Sequence, residues 1–250
     1  MAVQTRPLNV VRYPLDEAIA GENLEFFGGK TLPRLEWTHV YLGRWSAAAR
    51  KHLDAAIPAA MNDARLNRVL AQYFPHQQVT SVFRGSEPGP VPPRRIDKPG
   101  VEKIVTSLAA PGVATLLLPP GVVLSDGDAT SENGLGGYHG SVDGHYYAVA
   151  VYSEGTNGIV AFDEPWKNIC ATVYHELQEA RTDPDVEDAI RTGDTHHLGW
   201  YSPRGGEIGD IPVATEPLHD VMREVPLADG SGTVPVQLLW SNKDSAVESI

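Results

Sequence analysis

Alternating and continuous runs of apolar residues predict most of the secondary structure of this chain. Alternation rich in β-branched and aromatic residues favours strands, and a short continuous apolar run favours a strand buried on both faces. These patterns predict strands at 38–45, 78–84, 114–118, 146–152, 158–162 and 234–240. Helical spacing predicts helices at 46–61, 64–73, 101–109 and 168–184. Ser46 is a suitable N-cap for the first helix, which Pro58 kinks or ends.

Proline- and glycine-rich stretches mark the predicted connections. Residues 85–99 predict an excursion within one domain, 119–144 the longest loop, and 185–188 an acidic turn. Residues 1–34 predict an N-terminal arm, followed by a single domain at 35–250. We therefore expect an α/β (α+β) fold. The order of its elements is similar to that of a zincin-like mixed sheet with an active-site helix, which is an analogy.

The predicted helix 168–184, NICATVYHELQEARTDP, contains an H-E-x-x-E pentad at 175–179. Positions four apart lie on one face of a helix, so His175 and Glu179 can present a nitrogen and an oxygen to one metal ion. Glu176 lies beside them, where it can act as the base of a metal-dependent hydrolase. A surface helix with solvated glutamates is the alternative. The apolar residues around the pentad favour a buried helix, in which carboxylates need a partner or a cation.

A third metal ligand must come from beyond the helix, because Pro184 should end it near Asp183. The segment GGEIGD offers Glu207 and Asp210, with glycines that allow a close backbone approach. We favour Glu207 as the ligand and Asp210 as the residue that orients it, and the opposite assignment stays open. Asp185, just after the helix, is a rival for the third ligand. For Glu207 and Asp210 the alternative is that they lie in a solvated turn and bind no metal.

The ligand charges bear on which metal is expected. Two carboxylates and one imidazole neutralise a divalent ion, so bound water is acidified less than in a site with two imidazoles. Zinc is the first choice of cofactor, and the oxygen-rich ligand set leaves Mn²⁺ or Ca²⁺ as alternatives.

Two other residues are candidates for catalysis. His139 lies in the predicted glycine-rich loop before the strand at 146–152, where it can stabilise an oxyanion or contact substrate. A surface loop histidine is the alternative. Tyr201, near the GGEIGD segment, can donate a hydrogen bond to a tetrahedral intermediate, with core packing as the alternative.

Composition narrows the classes of partner. The formal net charge of −12 argues against binding to nucleic acid or anionic membranes. Cys170 is the one cysteine, so an internal disulfide is impossible. No 18-residue apolar run predicts a membrane span, and the N-terminus lacks the apolar core of a signal peptide. We expect a cytoplasmic protein, with secretion open if a signal has been removed.

The segments HELQEARTDP and GWYSPRGGEIGD resemble the H-E-L-x-E-x-x-T-D-P … G-W … G-E-I-x-D pattern of bacterial relatives of the plant exordium/phosphate-induced proteins. Upstream the resemblance extends through VYLGRWS, LLPPGVVL, GGYHGS and YYAVAVY and covers roughly residues 35–245. It implies a zincin-like metal site and no particular substrate. The residues that match the motif are His175, Glu176, Glu179, Glu207 and Asp210. Family members are often secreted and carry cysteines near these positions, and this chain departs from both features.

These observations predict a zinc-dependent hydrolase, most specifically a metallopeptidase acting on a peptide. In this hypothesis Glu176 deprotonates water and passes the proton to the leaving amine. Two alternatives stay open. One is a non-catalytic binding protein with a structural or vestigial metal site. The other is a metal-dependent enzyme that hydrolyses an amide or ester of a small molecule.

Overall fold

The computed structural model describes residues 10–12 and 23–250. Its strands are β1 (Val10–Arg12), β2 (Glu25–Phe26), β3 (Arg34–Leu42), β4 (Thr80–Gly89), β5 (Arg95–Asp97), β6 (Val113–Leu118), β7 (Val123–Asp126), β8 (Ala129–Thr130), β9 (Leu135–Val142), β10 (His145–Val151), β11 (Trp200–Tyr201), β12 (Met222–Pro226), β13 (Thr233–Gln237), β14 (Trp240–Ser241) and β15 (Ala246–Val247). Its α-helices are α1 (Ala47–Asn62), α2 (Asn67–Leu70), α3 (Lys98–Val105), α4 (Pro165–Thr182), α5 (Val186–Thr192), α6 (Asp210–Thr215) and α7 (Leu218–Val221). Single 3-10 turns occupy Ser131–Asn133 and Thr195–His197.

A six-stranded mixed sheet in the order β1-β9-β10-β6-β3-β4 organises these elements. The four strands from β10 to β4 are parallel to one another, whereas β9 runs antiparallel to β10 and β1 antiparallel to β9. Parallel neighbours need long crossover connections, and α1 lies in the connection between β3 and β4. Helices packed on a mixed sheet confirm the predicted α/β (α+β) class.

The two faces of the sheet carry separate apolar layers. On one face, Trp37 and Leu117 pack with residues of α1 and α4. On the other, Leu116 and Val149 pack with Val101 of α3. Because successive side chains of a strand point to opposite faces, β3, β6 and β10 each supply both layers. Such two-sided burial explains why the continuous apolar run of β6 forms a strand that is buried at every position.

Helix α4 is the most deeply buried helix of the described chain, and every residue from 168 to 182 is buried. Pro165 begins it in the first turn, where a proline costs no helical hydrogen bond. It ends at Asp183, whose backbone N–H donates to the carbonyl of Glu179, just before Pro184. Ile169 and Leu177 are fully buried, and burial of each side chain contributes about 1.5–3 kcal/mol. The predicted buried helix and its predicted end are confirmed.

Several other predicted elements are also found, with shifted ends. Ser46 caps α1, its hydroxyl accepting a hydrogen bond from the N–H of Ala49, and Pro58 lies within the helix without ending it. The predicted strands at 38–45, 78–84, 114–118, 146–152 and 234–240 correspond to β3, β4, β6, β10 and β13. The helices at 64–73 and 101–109 correspond to the shorter α2 and α3.

The predicted loop at 119–144 is wrong, because it contains β7, β8 and β9. The turn Asp143-Gly144 joins β9 to β10, with φ angles of 50° and 78° that suit a type I′ hairpin. An Asp-Gly pair is the sequence signal for such a hairpin. Glycines are required inside β9, since a side chain at Gly137 would overlap the carbonyl oxygen of Val149 on β10.

Three further predictions are wrong in part. The predicted excursion at 85–99 begins inside β4, which extends to Gly89, and it also contains β5. The predicted acidic turn at 185–188 opens α5. Residues 158–162 form no strand within the described chain, because the N–H groups of Ala161 and Phe162 donate to the side chain of Asn168, each at 2.8 Å.

Two expectations concern regions outside the sheet. Most of the predicted N-terminal arm at 1–34 lies outside the described residues, apart from β1 and the chain from residue 23. Among the described residues, no helix is both long and apolar enough to cross a membrane.

Arg181 ties the end of α4 to β4 and to the chain that enters β3. Its fully buried guanidinium donates to the carbonyl oxygens of Pro33 and Thr80 at 2.9 and 3.0 Å, and to the hydroxyl of Ser81 at 2.6 Å. The remaining Nε donates to Gln178 at 2.9 Å. One side chain therefore donates to four acceptors, three of which lie on half-buried residues.

We expect Arg181→Met to lower the free energy of unfolding by about 3 kcal/mol, because it removes four hydrogen bonds of one buried side chain at once. Arg191→Met is the matched control, since Arg191 is 52% exposed; it should change stability by less than about 0.5 kcal/mol. Urea unfolding followed by circular dichroism measures both. Equal stability of the two variants would show that the buried hydrogen bonds of Arg181 contribute little.

Candidate metal centre

Helix α4 brings the residues of the pentad to one buried place against the sheet. Nε2 of His175 lies 3.0 Å from Oε2 of Glu179, one turn further along the helix. Glu176 lies on the same side, facing His139 of β9, with 3.5 Å between its Oε2 and the imidazole Nδ1. All four side chains have no solvent exposure. The spacing of the pentad therefore converges its polar atoms as the sequence predicts.

The GGEIGD segment reaches this face of α4 with its backbone. The N–H groups of Gly209 and Asp210 donate to Oε1 of Glu179 at 3.1 and 3.2 Å. Oδ2 of Asp210 in turn accepts from the N–H of Glu207 at 3.1 Å. Each of these two acids thus has one oxygen held by the backbone, which leaves Oε2 of Glu179 and Oδ1 of Asp210 without a hydrogen-bond partner.

Two side chains outside the segment hold it in place. The amide of Gln237, on β13, donates to the carbonyl of Gly209 at 2.7 Å. The hydroxyl of Tyr201 accepts from the N–H of Gly206 at 2.8 Å. Tyr201 is buried below the segment, so its observed role is to position the backbone beside Glu207. Its predicted hydrogen bond to an intermediate stays a prediction.

His139 approaches the same cluster from the sheet. It is fully buried on β9, so the predicted loop position and the alternative of a surface histidine are both wrong. Its Nε2 lies 3.1 Å from the carbonyl oxygen of Asp183, which fixes that nitrogen as the donor. Its Nδ1 has no hydrogen-bond partner and lies 3.6 Å from Oε2 of Glu179. The Asp-Gly hairpin signal was the available clue to this placement.

Two groups of three side chains have ligand atoms close enough together to hold a metal ion. In each group one atom from each residue lies within 4.8 Å of the others. The first group comprises His175, Glu179 and Asp210, and the second comprises His139, Glu179 and Glu207. The geometry therefore combines Asp210 with the helix pair and places Glu207 beside His139. Of the two assignments left open, this arrangement favours Asp210 as the ligand next to His175.

Buried polar atoms without partners are concentrated at this cluster. Neither nitrogen of His175 and neither oxygen of Glu176 or Glu207 has a hydrogen-bond partner. An unpartnered buried polar group costs about 1–3 kcal/mol, and more if it is charged. So many in one place indicate a site that requires a further positively charged or proton-donating species.

Burial and mutual repulsion shift the protonation of these acids. Burial raises the pKa of Glu176 to about 7. Burial, helped by the charge of Glu179, raises the pKa of Asp210 to about 8. Burial also raises the pKa of Glu207 well above its ordinary value. Burial would raise the pKa of Glu179 as well, but the nearby imidazoles outweigh it and lower the value to about 2.

The pKa values of the two imidazoles are also raised, although burial alone would lower them. Burial lowers the pKa of His175, but attraction to Glu179 and its neighbours more than reverses this and raises the value to about 9. The pKa of His139 is likewise raised by Glu207, Glu176 and Glu179 against the effect of burial. Without a metal ion the cluster therefore retains protons at neutral pH, and a divalent cation would replace them.

Among the metal ligands considered from the sequence, Asp185 is the one that lies outside this cluster. Its carboxylate forms an ion pair with Lys30 at 3.3 Å and accepts from the hydroxyl of Tyr146 at 3.4 Å. It belongs to neither ligand group.

Comparisons of the chain with protein-family models, with curated proteins and with solved structures find no match.

Gly209 is needed for the close approach of the acidic segment to α4. A methyl group at this position would overlap the imidazole of His175. We expect Gly209→Ala to lower stability by about 1–3 kcal/mol through overpacking and to weaken metal affinity by moving Asp210 away. Gly100→Ala is the control, because its added carbon would come no closer than 3.0 Å to Asp97, the cap of α3, and to Ile96 of β5. Thermal unfolding and zinc titration measure stability and zinc affinity in both variants. Equal stability and equal zinc affinity in the two variants would contradict the required close approach at Gly209.

The protonation of the cluster predicts opposite pH dependence with and without metal. In the unfolded chain its acids ionise near pH 4, whereas in the fold Glu176 and Asp210 retain protons up to about 7 and 8. At these two acids the folded state then binds more protons, so the stability that they contribute is greatest below about pH 4 and is lost as pH rises through 7 and 8. His175, raised to about 9, acts in the same direction.

We therefore expect the free energy of unfolding of the chelator-treated protein to fall between about pH 6 and pH 8. With zinc present it should rise over the same interval, because protons and metal compete for the same atoms. Urea unfolding at both pH values measures the difference, and Asp210→Asn should flatten both slopes. Slopes of the same sign with and without zinc would contradict the exchange of protons for metal.

Proposed function

We propose that this protein is a divalent-metal-dependent hydrolase that binds zinc through His175, Glu179 and Asp210. The observation that carries the proposal is the convergence of three unpartnered atoms: Nε2 of His175, Oε2 of Glu179 and Oδ1 of Asp210. The other oxygen of each acid is held by a backbone N–H, which leaves one lone-pair atom from each residue to face a cation. One nitrogen and two oxygens suit zinc, with Mn²⁺ as the nearest competitor.

Groups around the proposed ligands hold them in orientation through hydrogen bonds, as is typical of metal sites. The backbone of Gly209 supports Glu179, and Gln237 supports that backbone from the opposite side. The resemblance of the HELQEARTDP and GGEIGD segments to exordium relatives also supports a zincin-like metal site, without naming a substrate.

The proposed reaction is hydrolysis of a peptide bond. When bound, the cation supplies a Lewis acid that polarises a carbonyl group and acidifies water. Glu176 then accepts a proton from water and passes it to the leaving amine. Its raised pKa of about 7 suits that exchange at neutral pH, and neither of its oxygens is engaged in a hydrogen bond. Nδ1 of His139 lies 3.5 Å from Oε2 of this carboxylate.

Complete burial of the cluster favours a second candidate, a metal with a purely structural role. His175, Glu176, Glu179 and Glu207 have no solvent exposure, so a substrate would reach them only after part of the chain moves. A closed site is typical of structural metals, whereas a catalytic metal keeps an open position. In this candidate the cation stabilises the fold and Glu176 takes no part in chemistry.

Glu176→Gln separates the two candidates. We expect the variant to bind zinc as the unmodified protein does, since Glu176 is in neither ligand group, and to lose about 10²–10⁴-fold in hydrolysis. Activity would be measured on a panel of peptides, amides and esters with and without chelator. Glu224→Gln, an exposed acid paired with Lys167, is the control that should keep full activity.

Asp210→Asn should lose both zinc binding at this position and activity. Chelator-sensitive hydrolysis that survives Glu176→Gln would remove the proposed base. If no substrate of the panel is hydrolysed while chelation still lowers the unfolding temperature, the structural candidate stands in place of the hydrolase.

A further inference from the structure

We propose that the cluster holds two divalent cations, with Glu179 shared between them. The second cation is bound by His139, Glu179 and Glu207, beside the zinc proposed above. This inference rests on the proposed metal site and extends it. The observation that leads to it is the presence of two ligand groups that overlap at one residue.

The two oxygens of Glu179 have different surroundings. Oε1 accepts from two backbone N–H groups, those of Gly209 and Asp210. Oε2 has no hydrogen-bond partner and lies 3.0 Å from Nε2 of His175 and 3.6 Å from Nδ1 of His139. The carboxylate is thus fixed at one end, and its free end faces both imidazoles. That is the placement required of a carboxylate oxygen that serves two ions.

His139 presents a nitrogen suited to a metal rather than to a protein hydrogen bond. Its Nε2 faces the carbonyl oxygen of Asp183, so Nδ1 is left with its lone pair directed into the cluster. A carbonyl behind the coordinating imidazole is the usual outer partner of a metal-bound histidine. The side chain is fully buried, and Nδ1 has no hydrogen-bond partner.

Glu207 completes the second group and has no other evident partner. Both of its oxygens lack hydrogen bonds although the side chain is fully buried, and it offers an oxygen within 4.8 Å of ligand atoms of His139 and Glu179. Its backbone is held by Asp210 and by the adjoining Tyr201–Gly206 bond. A buried carboxylate that is positioned so firmly, yet unpaired, indicates a missing cation.

Charge balance distinguishes one cation from two. Metal-bound imidazoles are neutral, so the charge of the cluster comes from five buried acids: Glu176, Glu179, Asp183, Glu207 and Asp210. One divalent ion would leave three net negative charges among apolar residues, whereas two ions would leave one. Two-metal hydrolytic sites hold their ions about 3.5–4 Å apart, a spacing that a single shared carboxylate permits.

Zinc stoichiometry tests the proposal directly. Protein freed of metal by chelation would be titrated with zinc by calorimetry, then desalted and analysed for bound metal. We expect two zinc ions per chain in the unmodified protein. Glu207→Gln and Asp210→Asn should each retain one, and Glu179→Gln should hold neither tightly. Glu224→Gln, outside the cluster, is the control that should retain two.

The outcomes separate this proposal from the one on which it rests. One zinc per chain, retained in Glu207→Gln and lost in Asp210→Asn, would overturn the second cation and leave the first. Two zinc ions that persist in Glu207→Gln would also overturn it, by placing the second ion elsewhere. No bound zinc in the unmodified protein would overturn both proposals.

A measurement on the unmodified protein keeps the proposal testable if a variant fails to fold. Loading with Mn²⁺ should give the electron paramagnetic resonance spectrum of an exchange-coupled pair of ions, because the two positions share one carboxylate. If the protein at saturating Mn²⁺ shows the six-line signal of isolated ions and no signal of a coupled pair, the proposal of two neighbouring ions is contradicted.

Discussion

The constraint on which the structure depends is the burial of five carboxylates and two imidazoles in one cluster. An isolated ionised carboxylate in a protein interior costs several kcal/mol, and it is tolerated only with a proton, a partner or a cation. The described chain supplies no lysine or arginine among the ion pairs of this cluster, and its two histidines are outnumbered by the acids. The net charge of −12 means that the rest of the chain does not compensate the negative charge of these acids. Metal ions would satisfy this requirement while leaving the acids ionised.

The rest of the fold serves to assemble that cluster from three separate places. Helix α4 provides the proposed pair of ligands, His175 and Glu179, one turn apart, and its packing on the sheet and against α1 keeps both side chains facing the cluster. Strand β9 delivers His139 from the antiparallel edge of the sheet. The acidic segment comes last, and Gly209 lets its backbone reach the imidazole of His175. Its N–H groups aim at Glu179, so the backbone orients the ligand as firmly as a side chain would.

Local pattern predicted the parts of this arrangement that depend on neighbouring residues. The apolar spacing around 168–182 predicts a buried helix, and Pro184 predicts where the helix ends; both predictions are confirmed. Long-range features were harder to predict. Strand β9 is rich in glycine because it lies close to β10, and the same composition is typical of loops. His139 was therefore assigned to a loop, although the Asp143-Gly144 turn was evidence for a hairpin. The choice between Glu207 and Asp210 depends on which acid faces which imidazole, and no periodicity carries that information.

Anomalous diffraction from crystals grown with zinc, recorded on both sides of the zinc absorption edge, tests the central claim most directly. The account predicts a peak about 2.0–2.2 Å from Nε2 of His175, Oε2 of Glu179 and Oδ1 of Asp210, within the buried cluster. A cluster without any anomalous peak at saturating zinc, closed instead by carboxyl groups that share protons with the imidazoles, would contradict it.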